Sequence, residues 1–236
     1  MTAAVVTSPS DGAEPREGSL ERRLPGYRYG IVLLLLVMTY VVEASAPPNE
    51  WTRLAAIILQ GVTLVAAMAA SGVSRRTMRV TVAIVLVTVL AAAVVVPLGS
   101  GGDDLRGSFF LVSALLIGSA PVVIVRGLAQ RPTIDVRTVL GALCVYVLIG
   151  MMFAFVYGAL GALGSKAFFA QQTHATIPDY LYFSYVTQTT VGYGDLTAAT
   201  GLGRAVAVLE ALTGQIYLVT VISLLVGSMR PRRGAG

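Results

Sequence analysis

Charge is the scarcest property of this chain. Asp, Glu, Lys and Arg make up 12% of its 236 residues, against roughly 25% in soluble domains. Hydrophobic residues are 56% and the mean hydropathy is +0.78. A chain this poor in charge, with long apolar runs, has lipid as its solvent. Cysteine occurs once, at Cys144 inside an apolar run, which excludes an intrachain disulfide and reads as a small core residue. Histidine also occurs once, at His174, so there is no His-rich metal set. A second acid beside Glu210 and a Ser/Lys dyad are missing as well, and the chain is read as non-enzymatic.

The apolar runs themselves predict helices at about 29–46, 53–72, 80–98, 108–126, 136–162 and 203–229. These segments hold no Lys, and Arg only at their ends. The first run follows a polar stretch and continues past Met38 to Val42 without a convincing cleavage site, so it is a span and not a signal peptide. Residues 1–25, rich in Pro, Gly, Ser and Glu, read as a disordered cytosolic tail. Residues 26–130 read as a four-helix membrane domain and 131–236 as a second unit. The tail has no phosphate-binding loop, and too few residues follow Met229 for a cytosolic gating module. His174 is read as an ordinary loop histidine.

Basic residues orient the spans. With both termini inside, the cytoplasmic segments hold Arg16, Arg22, Arg23 and Arg28, then Arg75, Arg76 and Arg79, then Arg126, Arg131 and Arg137, and finally Arg230, Arg232 and Arg233. Outside lie only Arg53, Arg106, Lys166 and Arg204, while the external connections carry Glu43, Glu50, Asp103, Asp104, Asp179 and Asp195. This asymmetry predicts a multi-pass protein of the cell membrane with cytoplasmic ends. The pI of about 9.6 then reflects topology and anionic lipid headgroups, not nucleic acid.

Between the fifth and sixth runs, facing outward, stands Thr189-Thr190-Val191-Gly192-Tyr193-Gly194-Asp195. An extended segment whose carbonyls all face one axis can replace the water shell of a potassium ion. Turning successive carbonyls the same way needs alternating backbone hands, and Gly192 and Gly194 supply φ > 0 without a Cβ penalty. Thr190, Val191, Gly192 and Tyr193 would offer the carbonyl rings, and the Thr190 hydroxyl an innermost one. One chain supplies one wall of such a pore, so four are needed. Residues 178–189 predict a short re-entrant helix: Pro178 pre-sets φ, and Asp179 sits at the positive end of the dipole.

From about Val136 to Met229 the chain resembles the two-helix pore module of prokaryotic potassium channels, on YFSYVTQTTVGYGD (182–195) and LEALTGQIYLVTVISLLVG (209–227). The resemblance implies an all-α integral membrane fold: six transmembrane helices, a re-entrant pore helix and filter between the fifth and sixth, and a homotetramer in lipid. Permeant K+ is the expected ligand, with no organic cofactor and no nucleic acid. It implies Thr190 to Tyr193 as ion ligands, Thr189, Gly194 and Asp195 as filter support, and Gly214 as a hinge; close helix packing is the competing reading of Gly214. Some relatives place a Glu behind the filter to pair with the Asp. Here that position is Val186, so Asp195 needs another partner. Glu210 is expected to bond to the pore-helix region.

The first four helices resemble a voltage-sensor domain in number and position only. The fourth, 108–126, lacks basic residues before Arg126, so the field has no lever there. Helical spacing puts Gln215, Leu218, Ile222 and Val226 on one stripe, as cavity lining or as an apolar gate. A potassium uptake subunit is the alternative class, but it would repeat its pore loops within one chain.

Overall fold

The structure, a computed structural model, describes residues 27–45, 50–95, 103–129 and 136–228. The described residues form seven helices: α1 (Tyr27–Ser45), α2 (Glu50–Ser71), α3 (Arg75–Val95), α4 (Asp103–Ala129), α5 (Val136–Leu163), α6 (Ile177–Gln188) and α7 (Gly201–Ser228). The six long helices and the short one fall where the apolar runs and Pro178-Asp179 predict them. The 1–25 tail and the 130–135 junction lie outside the described residues.

α4 lies along α5 of the same chain, and α1 packs on α2, α5 and α6. Leu36 of α1, Leu64 and Met68 of α2, Ile117 and Ile124 of α4, and Leu148 and Met151 of α5 form one buried apolar cluster. Small residues let the backbones close: a Cβ on Gly118 of α4 would meet Met152 Sδ of α5 at 2.8 Å. Cys144 is fully buried, its thiol donating to the Tyr29 carbonyl at 3.6 Å. Through α1 and α4, the first half of the chain packs against α5.

Among the described residues, three helices are long and apolar enough to cross a membrane, over Phe110–Leu128, Thr138–Leu163 and Gly201–Val221, with shorter apolar stretches at Tyr29–Ser45 and Ala55–Ser71. The apolar stretch of α3 runs into side chains outside the described residues. Glu43 corrects the sequence reading. It does not sit in an external connection: it is buried inside α1, and Gln60 of α2 donates its amide N–H to Glu43 Oε1.

Candidate functional site: the α6 to α7 segment

The site is built on α6. Asp179 Oδ2 accepts from the Thr176 backbone N–H and from the Thr176 hydroxyl, both at 2.7 Å, which fixes the first turn. The face of α6 toward α5 is bonded along its length. Tyr185 donates its hydroxyl to the Val147 carbonyl at 2.9 Å, and Gln188 its amide to the Tyr146 carbonyl at 2.9 Å. Gly150 makes room, since a Cβ there would run into Tyr185 and Gln188.

After α6 the chain reverses. The Val191 N–H donates to the Val186 carbonyl at 3.0 Å and the Gly192 N–H to the same oxygen at 3.3 Å. Backbone hand then alternates: φ is 58° at Thr190, 56° at Gly192 and 81° at Gly194, the residues between them staying at negative φ. The two glycines were expected in this conformation and Thr190 was not. A β-branched residue at positive φ stores on the order of 1–3 kcal/mol, tolerated where the surroundings over-determine it. Here they include Gln215 of α7, whose amide donates to Thr190 Oγ1 at 3.3 Å. Val191 and Tyr193 stand 52% and 71% exposed in the single chain. Apolar and aromatic groups displayed this way need a cover.

Asp195 has a partner after all. Tyr182 of α6 donates its hydroxyl to Asp195 Oδ2 at 2.7 Å, and its ring stacks on Tyr193 at 6.4 Å. Tyr182→Phe keeps the ring and removes only that bond, so the backbone amides of 191–195 should exchange their hydrogens faster in the variant. Exchange at the wild-type rate would show that the bond does not hold this segment.

Beyond Asp195 the chain is braced. Phe169 bridges Ala198: the Ala170 N–H donates to the Thr197 carbonyl at 2.9 Å and the Ala199 N–H to the Phe168 carbonyl at 2.8 Å. Gln171 clamps Thr197 with both ends of its amide. Beneath this brace Phe168, Phe169, Tyr180, Phe183 and Tyr157 pack ring on ring.

α7 closes the site from behind. Gly214 faces the end of α6: an added Cβ would lie 2.7 Å from the Gln188 carbonyl oxygen and 2.8 Å from its Cγ. Glu210, one turn earlier, is fully buried, accepting from Tyr157 of α5 at 2.5 Å and in contact with the Ser184 hydroxyl of α6. Leu218 is half-buried. Ile222 and Val226 are on α7, but their side chains lie outside the described residues. Tyr182, Ser184 and Glu43 went unremarked as site residues, because each is defined by a partner on another element.

A family profile described as "Ion channel" matches residues 142–230, which covers α6, α7 and α5 beyond its first six residues. Protein LctB of Bacillus caldotenax is 34% identical over 121 residues, covering 48% of this chain and 88% of LctB. A Rhodopseudomonas palustris protein named as a potassium channel protein is 41% identical over 49 residues. The potassium voltage-gated channel subfamily A member 5 of Mustela putorius furo is 32% identical over 85 residues. This chain spans only 12% and 14% of the length of those last two relatives. The chain belongs to the ion channel family, and it is a membrane protein.

Proposed function

We propose that the protein is a potassium-selective channel whose filter is Thr190, Val191, Gly192 and Tyr193, four chains surrounding one pore. The observation that carries the reading is the alternation of backbone hand at Thr190, Gly192 and Gly194. Alternating hands turn successive carbonyls to one side, the arrangement that replaces a potassium ion's hydration shell. Relatives named as potassium channels support the choice of ion. The exposed filter and an exposed stripe on α7 (Val208, Leu212, Ile216 and Val219) support the tetramer, since neighbouring copies would cover both. Six spans with both ends inside the cell membrane put the filter's entry on the outer face. Thr189, Gly194 and Asp195 support the filter, Gln215 and Leu218 line the cavity below it, and Ile222 and Val226 continue the stripe toward the inner mouth. The permeant ion is the ligand, and no organic cofactor is required.

Gating is the finer part of the proposal. α4 carries no charge between Ser108 and Val125, and one charge crossing 100 mV is worth about 2.3 kcal/mol. Opening should therefore be only weakly voltage-dependent. The test is purified protein in planar bilayers with potassium and sodium gradients. Passive current that strongly prefers potassium, is blocked by barium and varies shallowly with voltage is the expected result. Absence of current would sink the channel assignment, equal sodium and potassium permeability the potassium filter, and a steep conductance–voltage curve the gating assignment alone.

A further inference from the structure

Glu210 sits where three helices meet, and its hydrogen bonds can be counted. Tyr157 of α5 supplies its own hydrogen to Glu210 Oε2 at 2.5 Å. On the other side, Ser184 Oγ of α6 touches two oxygens at once: the Gly150 carbonyl of α5 at 2.6 Å and Glu210 Oε1. One serine hydrogen shared between both oxygens would be bent away from each, which contacts this short do not tolerate, so each needs its own hydrogen. Serine has one and the carbonyl has none. The second hydrogen has one place left to sit, the carboxyl of Glu210.

The surroundings agree. Glu210, Ser184 and Tyr157 are each fully buried. The titratable groups that act on this region are Tyr146 and Tyr157 of α5 and Tyr185 of α6, with Glu43 and Tyr40 of α1 acting on Tyr185. None is a cation, and no cation among the described residues bonds to Glu210. An unpaired carboxylate in such a place is costly, whereas a carboxylic acid is a donor and an acceptor in one group.

We infer that Glu210 is a protonated carboxylic acid that donates to Ser184, while Ser184 passes its own hydrogen to the Gly150 carbonyl. Through Tyr157 and Ser184 the acid ties the inner helix α7 to the outer helix α5 and to the pore helix α6. It is a positioning residue. It contacts no ion, but it holds α6 at the depth from which Val186 and Thr187 receive the N–H groups of the filter. Gly214 lies one turn farther along α7, against the end of the same pore helix. A loss at Glu210 is therefore transmitted to the filter as a movement of α6. The role in conduction rests on the channel reading above, whereas the protonation state does not.

Infrared difference spectroscopy of the full-length wild type against E210Q at neutral pH reads the proton directly. The expected spectrum shows loss of a protonated carboxyl C=O band on substitution. Loss of carboxylate stretching bands instead would overturn the proposal, whether or not the protein conducts. The positioning role is read by substitution. Glutamine offers an N–H to Ser184 and an oxygen to Tyr157, so E210Q should retain most of the potassium current. E210L offers neither and leaves two buried hydroxyls short of a partner, which should lower the current about tenfold or more. Gel filtration of both variants confirms that the assembly compared is the same, and E210M, more flexible in shape, replaces E210L if the latter fails to assemble. Equal currents in E210Q and the apolar variant would refute positioning. A wild type that passes no potassium but shows the carboxyl band would refute the channel reading and leave the protonated acid standing.

Discussion

Gly192→Ala is expected to abolish potassium selectivity while the protein still assembles. The reason is conformational and not steric. A Cβ at Gly192 meets nothing within 4 Å in the single chain, but the residue sits at φ 56°. A left-handed conformation costs an L-residue roughly 1–2 kcal/mol, so four copies around one axis would carry about 4–8 kcal/mol. That strain is relieved most simply by rotating the 192 peptide, which turns a carbonyl out of the column. Thr190 shows that a side chain can be held at φ 58° in this segment. It is held there by a side-chain contact that Gly192 lacks: its hydroxyl accepts from the Gln215 amide. Reversal potentials under sodium and potassium gradients give the answer, and an unchanged permeability ratio would remove Gly192 from the filter. Thr190→Gly, by contrast, should relax strain at the backbone and lose the hydroxyl contact with Gln215.

How much of this was legible in the sequence follows from what kind of interaction each feature depends on. The helices were legible because lipid demands continuous apolar runs, and the runs end at Arg, Gly and Pro. The start of α6 was legible because Pro178 and Asp179 act within one helical turn. The positive φ of Gly192 and Gly194 was legible because φ > 0 selects glycine residue by residue. Thr190 was not, because its conformation is imposed by neighbours and contradicts its own preference. The partner of Asp195 was not, because Tyr182 lies 13 residues back on another element. The Glu210 contacts reach across 26 and 53 residues, to Ser184 and Tyr157. Glu43 was misplaced for a related reason: a carboxylate near the end of an apolar run looks external until the amide of Gln60 is seen beside it. Local rules read local structure, and the support of the filter is tertiary.

Gly214 is the residue on which two readings diverge most sharply. As a hinge, it weakens α7 so that the inner half of the helix can swing. Gly214→Ala would then stiffen a helix by about 1 kcal/mol and alter opening without harming assembly. As a spacer, it lets α7 reach the last turn of α6, and alanine would put a Cβ 2.7 Å from the Gln188 carbonyl oxygen. That oxygen belongs to the backbone at the end of the pore helix and cannot turn away as a side chain would. Overpacking of this kind costs about 1–3 kcal/mol per site, more than the helix propensity gained. The expected outcome of Gly214→Ala is therefore loss of thermal stability of the assembly together with loss of current. A second glycine separates the readings. Thr213 is exposed on α7 and bonds only within its own helix, to the Leu209 carbonyl at 2.7 Å. Thr213→Gly added to Gly214→Ala restores flexibility one residue away but gives no clearance at Gln188. If flexibility is what matters, the double variant recovers gating; if clearance is, it remains as impaired as the single variant or worse. The contact with Gln188 favours clearance, and recovery of wild-type current and assembly stability in the double variant would overturn it.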